Sequence, residues 1–324
     1  MSQIAGRYAP SPTGDQHLGN LRSAVLAWVD AQLHGGTCAL RIDDLDQPRV
    51  RAGSEAAIRE ELAWLGLRFD PLPPGERLAQ EGGAPQHTAC RQQHRSGRYL
   101  EVLEQLKARD AIYPSALTAK AFAQALRAPH GDEEQDPRLS AEQRAEQWAQ
   151  YRTDPNQDWS WRWAASPQAT SYEDEAFGLQ STGDIGLDDF IVWRRDGLPS
   201  YQLATVVDDH DLRVARVVRG ADLIESTLRQ VAMVRCLGWP EPTYRHLGLV
   251  QTPDGERLAK RNKALSVSAL RHSGVTAADL LGWVASSVTG EALNPIATPA
   301  HLMHLLAAVE WPTEPVRLVS DSIR

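Results

Sequence analysis

Three cysteines in 324 residues, Cys38, Cys90 and Cys236, lie far apart and form no CxxC or CxC pair. That spacing excludes a disulfide framework or a compact cysteine zinc site, and leaves buried or incidental thiols. No apolar run approaches the roughly 20 residues that a membrane span requires. No basic and then apolar leader precedes Ile4, Gly6, Arg7 and Tyr8, so a cytoplasmic chain is expected. Internal repeats and heptad arrays are also missing, which argues against a solenoid or a coiled coil. The chain lacks an excess of positive charge: its net charge of -8 argues against nonspecific coating of nucleic acid, because phosphate binding is mainly electrostatic.

The charge is uneven, however. Residues 245–272 carry Arg245, Arg257, Lys260, Arg261, Lys263 and Arg271 against Asp254 and Glu256, whereas 130–146 is acidic. A local phosphate-binding surface is therefore compatible with an acidic whole. With 42% hydrophobic and 23% charged residues, the composition is that of a globular protein long enough for two or three structural units.

The pattern predicts a strand over Gly6–Ala9, a turn-rich Pro10–Gly14, and a helix from near His17 to His34 ended by Gly35-Gly36. A second strand is predicted over Cys38–Ile42, then amphipathic helices over Ser54–Leu65 and Arg98–Arg109. Residues 71–87 read as irregular, and 128–158 as an exposed, acidic excursion. Strands follow at Phe190–Trp193, Arg213–Val218 and near His246–Val250, with a helix over Ile224–Leu237. The tail, Ala264–Trp311, is helical with Pro295 and Pro299 as breaks. The alternation implies a parallel α/β sheet, Rossmann-like and split by an inserted subdomain, with a small helical C-terminal region. The expected divisions are 1–110, 111–184, 185–250 and 251–324.

Four stretches carry chemistry. His17-Leu18-Gly19-Asn20 stands at a helix start, where backbone N–H groups and an imidazole can meet phosphates, although alone it is equally a helix start in which Gly19 permits close packing. Arg41-Ile42-Asp43-Asp44-Leu45-Asp46 follows a strand, where ligands of open α/β sheets bind; a solvated acidic loop is the alternative. Asp208-Asp209-His210-Asp211 suggests a metal site, but adjacent residues rarely all face one ion, and a turn of hydrogen-bonding carboxylates is preferred. Arg219, before Gly220, suits a bidentate carboxylate contact or a surface ion pair. Finally, Arg257-Leu258-Ala259-Lys260-Arg261 is a loop able to stabilise phosphate charge, or a plain basic turn.

In their order and spacing these stretches resemble a class I aminoacyl-tRNA synthetase, and within that class the glutamyl-tRNA synthetase catalytic core. Arg7-Tyr8-Ala9-Pro10-Ser11-Pro12-Thr13-Gly14-Asp15-Gln16-His17 looks like its extended "HIGH" element and 257–261 like its "KMSKS" loop. The resemblance covers about 1–120 and 185–285. Only 63 residues follow Arg261, too few for anticodon-binding helical domains, so the chain resembles the truncated glutamyl-queuosine tRNA(Asp) synthetase branch. That resemblance implies ATP-dependent activation of L-glutamate without tRNA, then transfer to the queuosine base in the anticodon stem-loop of tRNA(Asp). A ligase with another acceptor, such as tRNA(Glu) or a small molecule, and a non-catalytic nucleotide- or RNA-binding paralogue remain alternatives.

Carried over residue by residue, the resemblance places glutamate against Arg7, Tyr8, Ala9, Pro10, Ser11, Asp43, Tyr201 and Arg219. Arg7 would meet the side-chain carboxylate and Asp43 the α-ammonium. ATP, with Mg²⁺, falls to His17, Gly19, Asn20 and Lys260, of which His17 and Lys260 are the expected catalytic residues. Asp43 stands for a glutamate of the family, and Arg257 and Ala259 for its Lys and Ser. The family's zinc-binding Cys-x-Cys is replaced within Tyr113-Pro114-Ser115-Ala116-Leu117, so no zinc or other resident metal is expected. A monomer is expected, since no dimerisation segment is evident.

Overall fold

A computed structural model describes residues 4–69, 91–118, 120–122, 138–252, 254–256, 258 and 265–317. The chain opens with β1 (Ile4–Tyr8), crosses through helix α1 (Leu18–Leu33) and returns as β2 (Thr37–Leu40). The crossover makes β1 and β2 parallel, pairing Arg7 with Ala39 and Tyr8 with Leu40. Helix α1 buries Leu18, Leu21, Val25, Leu26 and Val29 and ends before Gly35, whose φ of 71° suits glycine. Helices α2 (Ser54–Trp64) and α3 (Ser96–Lys107) follow close to their expected bounds.

The inserted region contains more regular structure than its composition suggests. Strand β3 (Ile112–Ser115) pairs antiparallel with β4 (Ser160–Trp163), and helix α4 (Ala141–Thr153) lies between them in sequence. The described part of the expected acidic excursion is thus largely a helix. Its reason is local: Ser140 and Gln143 form a reciprocal cap, and Trp148 and Tyr151 stack edge-on against Trp161. A hairpin of β5 (Ser171–Asp174) and β6 (Gly178–Ser181) comes next, and β7 (Ile191–Trp193) completes the β3-β4-β7 sheet. At its centre the fully buried Asp189 carboxylate accepts from Tyr113 Oη at 2.8 Å, the Leu139 and Ala165 amides at 3.0 Å, and Arg144 Nη2 at 2.6 Å.

Helix α5 (Tyr201–Asp211) corrects the expectation of a turn at Asp208–Asp211. Ser200 caps it through its hydroxyl, and Leu203, Ala204, Val206 and Val207 are buried at helical spacing, so the carboxylates occupy its last turn. Strand β8 (Arg216–Gly220), helix α6 (Ile224–Leu237) and strand β9 (Thr243–Leu247) then form a second parallel crossover, in register from Arg216–Thr243 to Gly220–Leu247. The β5 strand adds to the other side of β9, giving the order β6-β5-β9-β8, and β1 packs alongside β8. These two parallel halves with flanking helices are a Rossmann-like α/β fold.

A short β10 (Val250–Gln251) leads to helices α7 (Val267–His272), α8 (Ala277–Thr289) and α9 (Pro299–Leu306). Leu280, Leu281, Trp283, Val284 and Leu302 share a core with Leu18, Leu21 and Val25 of α1. Pro299 does not break a helix; it opens α9 beneath a Thr298 cap, where its missing N–H is harmless. Strand β11 (Val316–Arg317) pairs in parallel with β10. Here a Cβ on Gly248 would lie 2.1 Å from the Glu314 carbonyl oxygen, so only glycine admits the tail. No described helix is long and apolar enough to cross a membrane.

Candidate active site

The carboxyl ends of the parallel strands and the start of α1 enclose a cavity of about 630 Å³. This is the place where open α/β sheets receive ligands. The structure brings Arg7, Tyr8, Ala9, Pro10, Ser11, His17, Gly19, Asn20, Asp43, Tyr201 and Arg219 into its lining, from five separate segments. Lys260, with Arg257, Ala259, Arg261 and Lys263, lies outside the described residues; Leu258, beside that stretch, does line the cavity.

His17 is the N-cap of α1. Its Nδ1 accepts from the Gly19 amide at 3.1 Å and the Asn20 amide at 3.4 Å, while Asn20 Oδ1 accepts from the His17 amide at 3.3 Å. A ring nitrogen that accepts amide hydrogens carries no proton, so the imidazole proton sits on Nε2. The ring is thus fixed in the tautomer that can donate from Nε2 beside the positive end of a 16-residue helix. Gly19 has a second use here, because a Cβ would come within 3.0 Å of that imidazole.

The opposite wall is a buried charge network. Asp209 Oδ1 accepts from Arg7 Nε at 3.1 Å and from Arg41 Nη1 at 2.6 Å. Arg41 also grips Asp43 with Nε at 2.6 Å and Nη2 at 3.1 Å. Behind them Asp208 takes Arg95 Nε at 2.6 Å, Gln92 at 2.8 Å and the Tyr99 hydroxyl at 3.0 Å. Burial tends to raise the Asp209 carboxyl, but the adjacent Arg7 and Arg41 guanidiniums outweigh it and hold the group below the usual range. Asp43 goes the other way: burial and the nearby Asp208 and Asp209 outweigh Arg41, and its carboxyl is pushed up to about 6. Asp43 is therefore the readily titrated acid of this wall.

Several donors lining the cavity have nowhere to bond. Thr13 Oγ1, Gln16 Nε2, Arg22 Nη2 and Arg219 Nη1 are buried without a protein hydrogen-bond partner, which leaves them open to an acceptor from water or a ligand in the cavity. Arg22 is also desolvated enough that burial pulls it down to about 10, still charged at neutral pH. Gln16 and Arg22 are not singled out by the sequence, and Asp209 enters it only as one of the Asp208–Asp211 group, with no sign of its pairing with Arg7 and Arg41. Arg22 donates to the Gly248 carbonyl at 2.9 Å and to Ser287 at 2.8 Å, partners 226 and 265 positions away, which no local motif can signal.

Residues 3–288 match the family described as tRNA synthetases class I (E and Q), catalytic domain. The chain belongs to that family. It is similar to the Glutamyl-Q tRNA(Asp) synthetase of Symbiobacterium thermophilum, with 35% identity over 328 residues, covering 99% of this chain and 97% of that one. It is also similar to the Glutamate--tRNA ligase of Azorhizobium caulinodans, with 35% identity over 289 residues, covering 87% of this chain but 58% of that one. A solved glutamate tRNA ligase from Elizabethkingia meningosepticum matches with a TM-score of 0.80 at 24% identity, over 99% of this chain and 68% of that one, which carries the fold. As a class I (E and Q) synthetase the protein is a ligase-type enzyme.

Among the described residues, the zinc that the synthetase resemblance implies finds no fitting donor set. Where its cysteines would stand, the Tyr113 hydroxyl donates to Asp189 and Ser115 is wholly buried, its carbonyl accepting from Ser160 at 2.8 Å. Among the described residues no cluster of three or more His, Cys, Asp or Glu could hold a metal ion. Hydrogen bonds to Asp189 and tryptophan-rich packing hold the described part of this region together.

Proposed function

We propose that this cavity activates L-glutamate with ATP and passes it to the queuosine base in the anticodon of tRNA(Asp). The observation that carries the first half is the convergence of the two guanidiniums of Arg7 and Arg219 and the Asp43 carboxylate on one cavity whose far end is the His17-capped helix start. Two cationic donors suit a side-chain carboxylate, an anionic acceptor suits an α-ammonium, and a helix N-terminus with an Nε2–H imidazole suits phosphates.

In this reading the α-carboxylate of glutamate attacks the α-phosphorus of ATP in line, forming glutamyl-adenylate and releasing pyrophosphate. The chain contributes orientation and charge compensation rather than a covalent intermediate. His17 donates to a phosphate oxygen, Gly19 and Asn20 keep the approach to the α1 amides open, and Lys260 compensates developing charge. Tyr8, Ala9, Pro10, Ser11 and Tyr201 shape the amino-acid end. Mg²⁺ would arrive with ATP and would offset its phosphate charge.

The acceptor assignment is supported by the likeness, at 35% identity, to a relative named for that acceptor. The chain spans almost the whole of a relative named Glutamyl-Q tRNA(Asp) synthetase, but little more than half of one named Glutamate--tRNA ligase. Pyrophosphate exchange across the amino acids tests the first half, and exchange independent of glutamate sinks it. Labelled glutamate with ATP and tRNA(Asp), with and without queuosine, and with tRNA(Glu), tests the second. Label confined to queuosine-containing tRNA(Asp) is the expected result, and label on both forms of tRNA(Asp) or on tRNA(Glu) rejects it.

A further inference from the structure

Arg219 is buried at the end of β8, and one edge of its guanidinium is fully engaged. Nη2 donates to Thr227 Oγ1 at 2.6 Å and to Gln230 Oε1 at 2.7 Å, and Nε points at His246 Nε2 at 3.3 Å. Nη1, by contrast, has no partner, and the residue lines the cavity. What sets this arrangement lies behind it. His246, on β9 and without solvent exposure, has Nδ1 at 2.6 Å from Asp174 Oδ2, and its backbone amide donates to the same carboxylate at 3.1 Å. Asp174 also accepts from the Ala176 and Phe177 amides at 3.0 and 2.9 Å.

A carboxylate with this many donors is ionised, so the His246 proton sits on Nδ1, and Nε2 is left as an acceptor 3.3 Å from Arg219 Nε and 3.0 Å from the Thr227 hydroxyl oxygen. A second chain of fixed polarity reaches Arg219 from α6. Gln202 Nε2 donates to Ser226 at 3.1 Å, Gln230 Nε2 donates to Gln202 Oε1 at 2.9 Å, and the Gln230 carbonyl oxygen is thereby turned toward the guanidinium. Both chains present acceptors to one edge of Arg219, leaving Nη1 as a donor with a set direction.

We propose that His246, held by Asp174 of the inserted hairpin, is a positioning residue that aims Arg219 so that the cavity accepts a side-chain carboxylate and rejects the corresponding amide. This rests on the proposed glutamate activation. Arg7 and Arg219 are donor-only groups, and an amide NH₂ brought between them meets donors without an acceptor. Discrimination of this kind depends on Nη1 staying the group that meets the side chain, which a tilted guanidinium would no longer ensure.

The test compares His246→Leu, which keeps bulk but no acceptor, with His246→Gln, whose Oε1 can replace Nε2, and with Asp174→Asn. The readouts are pyrophosphate exchange with glutamate and with glutamine, and the unfolding midpoint. His246→Leu is expected to raise KM for glutamate about tenfold or more with kcat within a few-fold, narrowing the glutamate-to-glutamine ratio equally. Asp174→Asn is expected to fall between it and the wild type, and His246→Gln to recover most of the loss. An unchanged KM and ratio in a folded His246→Leu overturns the inference, as do equal losses in the Leu and Gln variants, which indicate a packing role. Independently of any variant, ¹⁵N NMR of the wild type must show His246 neutral with its proton on Nδ1; an Nε2–H ring or an imidazolium overturns the inference. A wild type that neither binds glutamate nor exchanges pyrophosphate with it removes the proposed function itself, an outcome distinct from exchange that His246→Leu leaves unaltered.

Discussion

Asp189 in the inserted region and Asp209 beside the cavity are both deeply buried carboxylates, yet they do opposite things. Asp189 accepts from one guanidinium, one phenol and two backbone amides, all drawn from the fold around it. Asp209 is shared by two guanidiniums through the same oxygen, and the side chains it orients line an open cavity. Around Asp189 the donors converge and the region closes. Around Asp209 the charges are held apart from solvent but directed outward, next to the unsatisfied donors of Thr13, Gln16 and Arg219. A satisfied polar centre stabilises a fold, whereas a network that stops short at a cavity wall prepares it for a ligand.

The largest expected effect breaks the inserted region alone. Asp189→Ala leaves Arg144 and two amides without their acceptor and should cost about 3–5 kcal/mol, read as a lower denaturant midpoint, while glutamate affinity of the folded fraction stays near wild type. Loss of glutamate binding at equal stability would erase the contrast. Next, Asp209→Asn should reduce kcat/KM in glutamate-dependent exchange by about a hundredfold, because Arg7 and Arg41 lose their shared counter-charge. Its stability should suffer less than that of Asp189→Ala, and the reverse order would show that Asp209 too is a fold-closing group.

A smaller effect concerns pH. With Asp43 raised to about 6, its proposed partner, the α-ammonium of glutamate, would meet a carboxylate only above that value. KM for glutamate should therefore rise about tenfold per unit as pH falls below 6 and level off above about 7, whereas Asp43→Asn should be flat. The stability sign is opposite: a folded-state pKa above the unfolded one gives stabilisation present at acid pH and lost as pH climbs through 6, so Asp43→Asn should not destabilise the protein at neutral pH. The smallest expected response is to a chelator. It should leave the unfolding temperature of the protein unchanged, and a decrease would show a metal sharing the organising task of Asp189.

Much of the fold is legible where a single segment carries its own period and punctuation. The Ile224–Leu237 helix can be read to the residue because its apolar positions recur regularly and Gly238, with φ 71°, ends it. Helix α5 resembles a turn because Asp208 and Asp209 are buried where the period asks for apolar residues. Strand β4, Ser160-Trp161-Arg162-Trp163, escapes a sequence reading for a related reason: all four residues are buried, including the polar pair, which leaves no alternation to detect. At the candidate site, residues placed by local geometry, such as His17 and Gly19 at the start of α1, announce themselves. Asp209 and Arg7 lie 202 positions apart, and their pairing exists only after the two crossovers have folded against each other.

The close approach of the tail to Gly248 has a consequence for how substitutions combine. With the Thr313 and Glu314 carbonyl oxygens seated against it, position 248 admits no side chain, and the same loop offers its carbonyl to Arg22 on the cavity wall. The intolerance belongs to the docked tail and not to the local backbone. Gly248→Ala should therefore be harmful in the whole chain and nearly silent once the residues after 312 are removed. Position 248 and the tail thus form one epistatic unit, whose genetic signature is a dependence that neither change shows when made alone.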